Sequence, residues 1–306
     1  MKETIMPRLA VLGLGLLGAE IALRLKSQGF SLNGWNRTPS KAQALKDRGI
    51  DCAPTPAAAI AEAEMVLLLL SDAEAIAATL FDTHPRPDLT GKCLVQMGTI
   101  GPDESRALAG RVVDNGGEYL EAPVLGSLPE ARSGTLLLMA GGDMTLFERC
   151  APVLRALSRQ PQRIGELGQA AAMKLAMNQL IAGLTATFSL SLGLVRAEGI
   201  DVEQFMSLLR ASALYAPTFD KKLGKYLSDD YAQANFPLRH LLKDVALFRR
   251  VIAAAGMDTA TLAAIESACQ RGLAAGLGDA DYSALYRTLV EAAGGQDGPL
   301  LVTASP

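Results

Sequence analysis

A lysine and an asparagine four residues apart are the side chains in this sequence best suited to proton transfer. Lys174 immediately precedes a stretch from Leu175 to Val195 that contains no charged residue, and Asn178 lies within that stretch. On a helix, residues at positions i and i+4 share one face. The lysine ammonium can then donate a proton to a reacting carbonyl oxygen, and the asparagine can hold the lysine or that oxygen. The alternative is that Lys174 is the solvated end of a buried helix.

A glycine-rich segment near the N-terminus has the spacing of a dinucleotide-binding turn. It follows a short apolar run, opens a predicted helix and reads Gly13-Leu14-Gly15-Leu16-Leu17-Gly18. In such a turn the first glycine permits the tight bend, the second lets the backbone approach a pyrophosphate, and the third allows close helix–strand packing. The helix N-terminus then offers N–H groups to the anion. The alternative is a glycine-rich turn with a structural role alone.

The end of the second predicted strand indicates which dinucleotide binds. Enzymes that use NAD usually place Asp or Glu there, where it binds the ribose 2′-hydroxyl. This sequence has Asn36, Arg37 and Thr38, so no carboxylate repels a 2′-phosphate and all three side chains can bind one. We therefore expect NADPH, the alternative being that Arg37 is a solvated surface residue. Leu70 and Ser71 end the third long strand, where nucleotides pass in such sheets.

The hydrophobic pattern predicts an α/β scaffold for these side chains. Short apolar strands alternate with helices up to about residue 165, which indicates a doubly wound, largely parallel sheet of the Rossmann type. We expect this α/β Rossmann domain over residues 1–165 and an all-α helical domain over residues 166–306, joined by the long helix that carries the lysine. Ser40 is expected to cap the second helix, and residues 294–306 to form a frayed tail. The helices expected after residue 165 are Ala170–Ala197, Val202–Ala211, Leu238–Ala255, Ala260–Ala275 and Ser283–Ala292.

Composition argues against several other classes of protein. The 306 residues are 49% hydrophobic and 5% aromatic, with a net charge of −3 and no basic stripe, so we expect no nucleic-acid partner. Four dispersed cysteines and two histidines lack metal-ligand spacing, so no metal site is expected, and reduced thiols indicate the cytoplasm. The uncharged stretch could span a bilayer by length, but its polar residues favour a helix buried between domains or subunits. We expect no membrane partner, and a homodimer or homotetramer.

In combination, these features resemble the β-hydroxyacid dehydrogenases, a family that includes 3-hydroxyisobutyrate dehydrogenase and the glyoxylate/succinic semialdehyde reductases. The resemblance covers about Pro7 to Ala293. Beyond the glycine block it rests on Met97-Gly98-Thr99-Ile100-Gly101-Pro102, on Ala122-Pro123-Val124-Leu125-Gly126-Ser127 with Gly134-Thr135-Leu136, on Gly165-Glu166-Leu167-Gly168-Gln169-Ala170 with Lys174 and Asn178, and on Lys243-Asp244. The runs most similar to the glyoxylate/succinic semialdehyde reductase branch are Phe236-Pro237-Leu238-Arg239-His240 and Gly276-Leu277-Gly278-Asp279.

The resemblance implies a soluble NADPH-dependent reductase that transfers hydride to the aldehyde or 2-oxo carbon of a short acid. Glyoxylate and succinic semialdehyde are the leading substrates, followed by tartronate semialdehyde. Lys174 would be the proton donor. Leu125, Gly126 and Ser127 would bind the substrate carboxylate, and Thr99 would lie near both the nicotinamide and the substrate.

Three residues of the C-terminal half have roles that stay open. The resemblance implies that Lys243 contacts the cofactor or closes the site over it, and that Asp244 lies with the substrate. From the residues alone, however, the two also fit an ordinary solvated helix pair. Phe236 can form an apolar wall of the substrate site or belong to the core.

Two positions depart from the family pattern, and two other functions stay open. Leu125 stands where the family has Ser, and Gly98 stands where a Ser precedes Thr99. The first change removes a hydroxyl donor and adds bulk, which leaves open an imine reductase. Those enzymes usually carry Asp or Tyr at the position of Lys174, which argues against that function. The other alternative is an NADPH-binding regulator without catalysis, against which the pair of Lys174 and Asn178 argues.

Overall fold

In the computed structural model, which describes residues 6–290, the chain divides into two compact units. The first ends at Ala176 and the second begins at Met177. The division falls within one continuous helix, Gln169–Ala197, and therefore later than the boundary expected near residue 165. The C-terminal tail expected to fray lies outside the described residues.

The first unit is built on a single sheet. Its strands run in the spatial order β3-β2-β1-β4-β5-β6-β8-β7, and β9 pairs with β8. Neighbouring strands from β3 to β6 are parallel, whereas β8 is antiparallel to both β6 and β7. The doubly wound, largely parallel Rossmann sheet is therefore confirmed. The strands are β1 (Leu9–Leu12), β2 (Leu32–Trp35), β3 (Asp51–Cys52), β4 (Met65–Leu68), β5 (Cys93–Gln96), β6 (Glu118–Glu121), β7 (Val124–Leu125), β8 (Leu137–Gly141) and β9 (Gln162–Gly165).

Helices cover the sheet and make up the second unit. Between residues 177 and 290 the structure contains helices and no strand, as expected for an all-α half. The helices are α1 (Leu16–Ser27), α2 (Pro39–Lys46), α3 (Pro56–Ile60), α4 (Ala73–Leu80), α5 (Pro102–Asp114), α6 (Leu128–Ser133), α7 (Met144–Leu157), α8 (Gln169–Ala197), α9 (Val202–Ala211), α10 (Pro217–Ser228), α11 (Leu238–Ala254), α12 (Ala260–Ala274) and α13 (Leu285–Val290), with a 3₁₀ turn at Tyr282–Ala284.

Strands β1 and β4 are apolar along their whole length because helices bury both faces of the sheet. Successive side chains of β1 point to opposite faces. Val11 therefore packs in one hydrophobic cluster with Ile21 and Leu25 of α1, while Leu12 packs in another with Val112 of α5. Because the two clusters pack on opposite faces of the sheet, they fix the position of its carboxyl edge.

Several helices have an N-cap residue whose side chain accepts a hydrogen bond from a backbone N–H of the first turn. Asp and Thr are favoured at the N-cap for this reason. The expectation for Ser40 is wrong, because α2 begins one residue earlier at Pro39, with Thr38 as its N-cap. Proline is preorganised for the first helical position, so the helix starts nearer to the N-terminus than expected. The capping side chains are Thr55 on α3, Asp72 on α4, Asp143 on α7 and Asp201 on α9.

The second unit has an aliphatic core and an aromatic core. Leu241 of α11 and Ile265 of α12 lie in the first, and the stacked rings of Phe188 and Phe219, 4.5 Å apart, lie in the second. Of the described helices, α8 alone is long and apolar enough to cross a membrane, a test that core helices of globular proteins also pass. Its 18-residue apolar window is only 39% buried.

Candidate active site

The order of the strands places the candidate cofactor site at the carboxyl ends of β1 and β4. The chain proceeds from β1 to β2 on one side and to β4 on the other, which makes this crevice a topological switch point. Gly13 follows β1 with a φ of +103°, and a Cβ there would overlap the Leu69 carbonyl. A Cβ at Gly18 would overlap the Gly13 carbonyl. Both glycines are therefore required by close backbone packing.

The N-terminus of α1 opens onto free space. Gly15 is its N-cap, in extended conformation, and no side chain caps this helix end. A Cβ built on Gly15 would meet no atom within 4 Å, and the neighbouring Leu16 is exposed whereas Leu17 is half-buried. Uncapped N–H groups beside an open space at a switch point fit a dinucleotide diphosphate.

The loop after β2 lies against this turn. Asn36 Oδ1 accepts a hydrogen bond from Leu14 N at 2.9 Å, and its Nδ2 donates to the Thr38 carbonyl at 3.1 Å. Asn36 therefore braces the glycine turn from the side. Arg37 is exposed, and among residues 6–290 its guanidinium has no hydrogen-bond or ion-pair partner. Its charge is available to a phosphate group.

The loops after β4 and β5 approach each other closely at the same edge. A Cβ on Gly98 would lie 2.6 Å from the Leu70 carbonyl oxygen, so the two loops can approach this closely only with glycine at position 98. Ser71 Oγ donates to the carboxylate of Asp72, the residue that caps α4. Leu70 and Thr99 are both half-buried. The structure thus brings Leu70 against Gly13 of the glycine turn, and it brings Gly98, the neighbour of Thr99, against Leu70.

The loop expected to bind a substrate carboxylate already holds a carboxylate of its own. Ser127 donates from its backbone N at 2.7 Å and from its Oγ at 2.8 Å to Glu130 Oε2. Leu125 is half-buried and Gly126 is exposed beside it. Glu130 was not predicted as a site residue, although Ser127 and Glu130 have the Ser-x-x-Glu spacing of a capping box. An anionic ligand at this loop would have to displace this carboxylate from the same two donors.

The candidate catalytic lysine belongs to the first unit and is a buried residue. Lys174 lies on α8, and only 9% of its surface is exposed. It is therefore not the solvated end of a helix, which was the alternative from the sequence. Asn178 follows one helical turn later on α8 and is 4% exposed.

In the second unit, Asn178 belongs to a small polar cluster with two residues of α11. Asn178 Nδ2 donates to Asp244 Oδ2 at 2.6 Å. Lys243 Nζ lies 2.9 Å from Asp244 Oδ1, an ionic contact without hydrogen-bond alignment. Asp244 is 4% exposed, so the two residues of α11 are not an ordinary solvated pair. Because an ionised carboxylate only accepts, Asp244 orients the amide so that Asn178 Oδ1 points away from it.

Phe236 contributes to the core of the second unit. Its ring lies 6.2 Å from the ring of His240 and 5.9 Å from that of Tyr282, and it packs against the aliphatic core. Its half-buried position leaves part of the ring exposed. Residues 6–290 contain no group of three His, Cys, Asp or Glu arranged to hold a metal ion.

Comparison with known protein families accounts for nearly the whole chain. Residues 8–168 match the NAD binding domain of 6-phosphogluconate dehydrogenase, and residues 168–289 match the NAD-binding domain of NADP-dependent 3-hydroxyisobutyrate dehydrogenase. Glyoxylate/succinic semialdehyde reductase 1 of Arabidopsis thaliana is 30% identical over 91% of this chain and 96% of its own length. The human cytokine-like nuclear factor N-PAC is also 30% identical, but this chain spans about half (51%) of that protein.

Solved structures share the fold. 3-Hydroxyisobutyrate dehydrogenase of Mycobacterium tuberculosis, solved with L-serine, superposes with a TM-score of 0.82 at 22% identity, covering 93% of this chain and 99% of that one. An imine reductase from Myxococcus stipitatus in complex with NADP+ gives 0.62 at 23% identity, with 92% and 100% covered. From its family matches and its relatives, this chain belongs to the β-hydroxyacid dehydrogenase family of NAD(P)-dependent oxidoreductases.

Proposed function

We propose that this protein is an NADPH-dependent reductase that converts the carbonyl of a short aldehyde acid or 2-oxo acid, such as glyoxylate or succinic semialdehyde, to the hydroxy acid. The observation that carries the proposal is the burial of Lys174 one turn before Asn178 on α8. Burying a lysine is costly unless its interactions compensate, so a buried lysine beside an oriented amide points to a functional role.

The residues proposed to hold NADPH are those of the glycine turn, the loop after β2 and the loops after β4 and β5. When bound, NADPH supplies the hydride. The uncapped N-terminus of α1 offers its N–H groups to the diphosphate, and Arg37 pairs with the 2′-phosphate. The exposed guanidinium of Arg37, which has no partner among residues 6–290, and the absence of a carboxylate at residues 36–38 support NADP over NAD.

The proposed role of Lys174 is to donate a proton from its Nζ to the substrate oxygen as that oxygen gains charge. The proposed role of Asn178 is to accept a hydrogen bond through Oδ1, from Lys174 or from the substrate hydroxyl. Asp244 supports this because its carboxylate occupies the amide Nδ2 of Asn178. Lys243 balances the charge of Asp244. The proposal includes a homo-oligomer in the cytoplasm.

The experiment that tests this proposal follows NADPH absorbance with glyoxylate and with succinic semialdehyde, and then with NADH as the cofactor. We expect turnover that favours NADPH. Lys174→Ala should lower kcat by about 100- to 10,000-fold, the usual contribution of a positioned acid. The control is Met173→Ala, which changes the adjacent, exposed residue of α8 and should leave kcat unchanged. Full activity in Lys174→Ala would contradict the proposal.

An imine substrate is the second candidate, and the loop at residues 125–130 favours it. Leu125 provides an apolar side chain, and Glu130 holds both donors of Ser127. Both features suit an uncharged or cationic C=N compound better than an acid. Reduction of a cyclic imine together with inactivity on both acids would support this function. Binding of NADPH without turnover of any of these compounds would indicate a regulator without catalysis.

A further inference from the structure

A buried carboxylate holds the first turn of the helix that carries Lys174. Glu121 is the last residue of β6 and is 1% exposed. Its Oε1 accepts a hydrogen bond from Ala170 N at 2.9 Å and a longer one from Ala171 N at 3.4 Å. These are the second and third residues of α8, and first-turn N–H groups have no acceptor within their own helix. Glu121 therefore caps α8 from the edge of the sheet.

The other oxygen of this carboxylate is held as firmly. Ser105 Oγ donates to Glu121 Oε2 at 2.6 Å and lies 3.1 Å from the Tyr119 hydroxyl. Burial raises the pKa of Tyr119, which keeps the phenol protonated. Ser105 belongs to α5 and Tyr119 to β6, so the carboxylate joins three elements of the first unit. Because both of its oxygens are bonded, the side chain has a single position.

The neighbouring strand leaves room for this side chain. Gly141 of β8 pairs directly with Glu121 of β6. A Cβ at Gly141 would overlap Oε1 of Glu121 and would lie 2.9 Å from its Cγ and Cδ. The pocket at this edge of the sheet therefore fits the glutamate carboxylate and has no room for a second side chain.

We propose that Glu121 is a positioning residue for Lys174, an inference that rests on the proposed role of Lys174 as proton donor. Lys174 lies four residues after Ala170 and three after Ala171, in the next turn of α8. In an α-helix the N–H of Lys174 bonds to the carbonyl of Ala170. Glu121 therefore holds the helical turn whose carbonyl group fixes the backbone of Lys174. A displacement of about 1 Å in a catalytic group can cost about 100-fold in rate.

The main test uses Glu121→Gln, which keeps the size of the side chain and removes its charge. We expect kcat of NADPH-dependent carbonyl reduction to fall about 10- to 100-fold, while KM and the Kd for NADPH change less than about twofold. Glu121→Asp keeps the charge but is one methylene too short to reach Ala170 N. If position matters, the aspartate variant loses at least as much kcat as the glutamine variant, and retention of wild-type kcat by Glu121→Asp would overturn the inference.

The matched control is Asp143→Asn in the same unit. Asp143 Oδ1 accepts from Leu146 N at 2.9 Å and caps α7, which carries no candidate site residue. This variant also removes a carboxylate from a helix N-terminus, so it should lower the melting temperature without changing kcat. If Glu121→Gln and Asp143→Asn both leave kcat unchanged, Glu121 is a structural cap only.

Hydrogen exchange of the amides of residues 170–175 separates the failure of this inference from the failure of the proposed function. We expect faster exchange in Glu121→Gln than in the wild type or in Asp143→Asn. Unchanged exchange would overturn the anchoring role, whatever the kinetics. Faster exchange together with full turnover by Lys174→Ala would overturn the proposed function. In that case Glu121 would still hold the first turn of α8, but it would not position a catalytic residue.

Discussion

At the scale of single residues, Arg37 decides between the two nicotinamide cofactors in the proposed function. A charged hydrogen bond is worth about 1.5–3 kcal/mol, or roughly 10- to 150-fold in affinity. Arg37→Ala should therefore raise KM for NADPH by that factor and leave KM for NADH nearly unchanged, because only NADPH carries the 2′-phosphate. The measurement is steady-state kinetics with both cofactors. Lys46→Ala, which removes another exposed cation from the adjacent α2, is the control and should change neither value. An equal loss with both cofactors would contradict the phosphate contact.

In the proposed function, Glu130 is the second single residue that gives a testable effect, here on the selection of charged substrates. Its carboxylate holds the backbone N and Oγ of Ser127, the donors proposed for a substrate carboxylate. Glu130→Gln keeps an acceptor for these donors but removes the negative charge that repels an acid. We expect the ratio of kcat/KM for glyoxylate to kcat/KM for uncharged glycolaldehyde to rise about tenfold, the effect of roughly 1.4 kcal/mol. A ratio equal to that of the wild type would show that the substrate carboxylate binds elsewhere.

How far the sequence predicts a site residue depends on whether its partners are near in the chain. The glycine turn was predictable because the three glycines, the strand and the helix form one local unit. By contrast, Glu121 lies 49 positions from Ala170, and Glu121 looks like an ordinary strand residue until the fold brings the two together. The bond from Asn178 to Asp244 spans 66 positions and was hidden for the same reason. Asn36 stays a predicted phosphate ligand, and its two backbone partners also give it a bracing role that no pattern indicates.

At the scale of elements, helical segments rich in Ala and Leu were predicted and helices of mixed composition were missed. α9 has the expected bounds, and α8, α11 and α12 begin or end within one residue of theirs. α7 was missed because Pro152 interrupts its pattern, although the proline is tolerated inside the helix. α10 was missed because most of its residues are polar or charged and lie on its exposed face. The few residues that it buries, which include Phe219 and Tyr226, give a weak hydrophobic pattern. β3 and β7 have two residues each and β9 is the largely polar Gln162–Gly165, so all three carry little local signal.

An ion pair between two helices of the first unit predicts a response to pH. Arg132 of α6 donates to Glu20 of α1 at 2.9 Å, and this bond holds the pKa of Glu20 below its usual value. A carboxyl whose pKa is lower in the folded chain stabilises the fold above its unfolded pKa, and this contribution is lost as pH falls through the folded pKa. Glu20→Gln should therefore lower the free energy of unfolding by about 1 kcal/mol at pH 7, and the difference should shrink below about pH 4.5.

Urea unfolding of Glu20→Gln at pH 7 and at lower pH values measures this contribution. The control is Glu62→Gln, which breaks the exposed pair of Arg8 and Glu62, where the glutamate side chain is 84% exposed. That pair is worth little because both side chains stay solvated, so its loss should cost less than about 0.5 kcal/mol at any pH. A Glu20→Gln deficit that persists unchanged in acid would show that lost packing, not lost charge, is responsible.

At the scale of the whole molecule, α8 links the chemistry to the proposed assembly. The helix carries Lys174 near its start, yet further along it Leu180, Leu190 and Leu194 are 57%, 55% and 63% exposed. Such an apolar face on a helix without charges in its middle is typical of a surface that another subunit covers. A second copy of this chain that packs α8 against the same surface would bury these leucines, and this is the basis for proposing a homo-oligomer.

The corresponding prediction is that a charge on this face dissociates the oligomer. If the wild type is the proposed dimer or tetramer, Leu190→Glu should convert it to smaller species in size-exclusion chromatography with light scattering, because burying an unpaired carboxylate is strongly unfavourable. Leu208→Glu on α9, where the wild-type leucine is 70% exposed, is the matched control and should leave the mass unchanged. A wild-type monomer would refute the proposed assembly. A wild-type protein that partitions into membranes and is released by Leu190→Glu would assign the face of α8 to lipid, since length and composition alone are compatible with both partners.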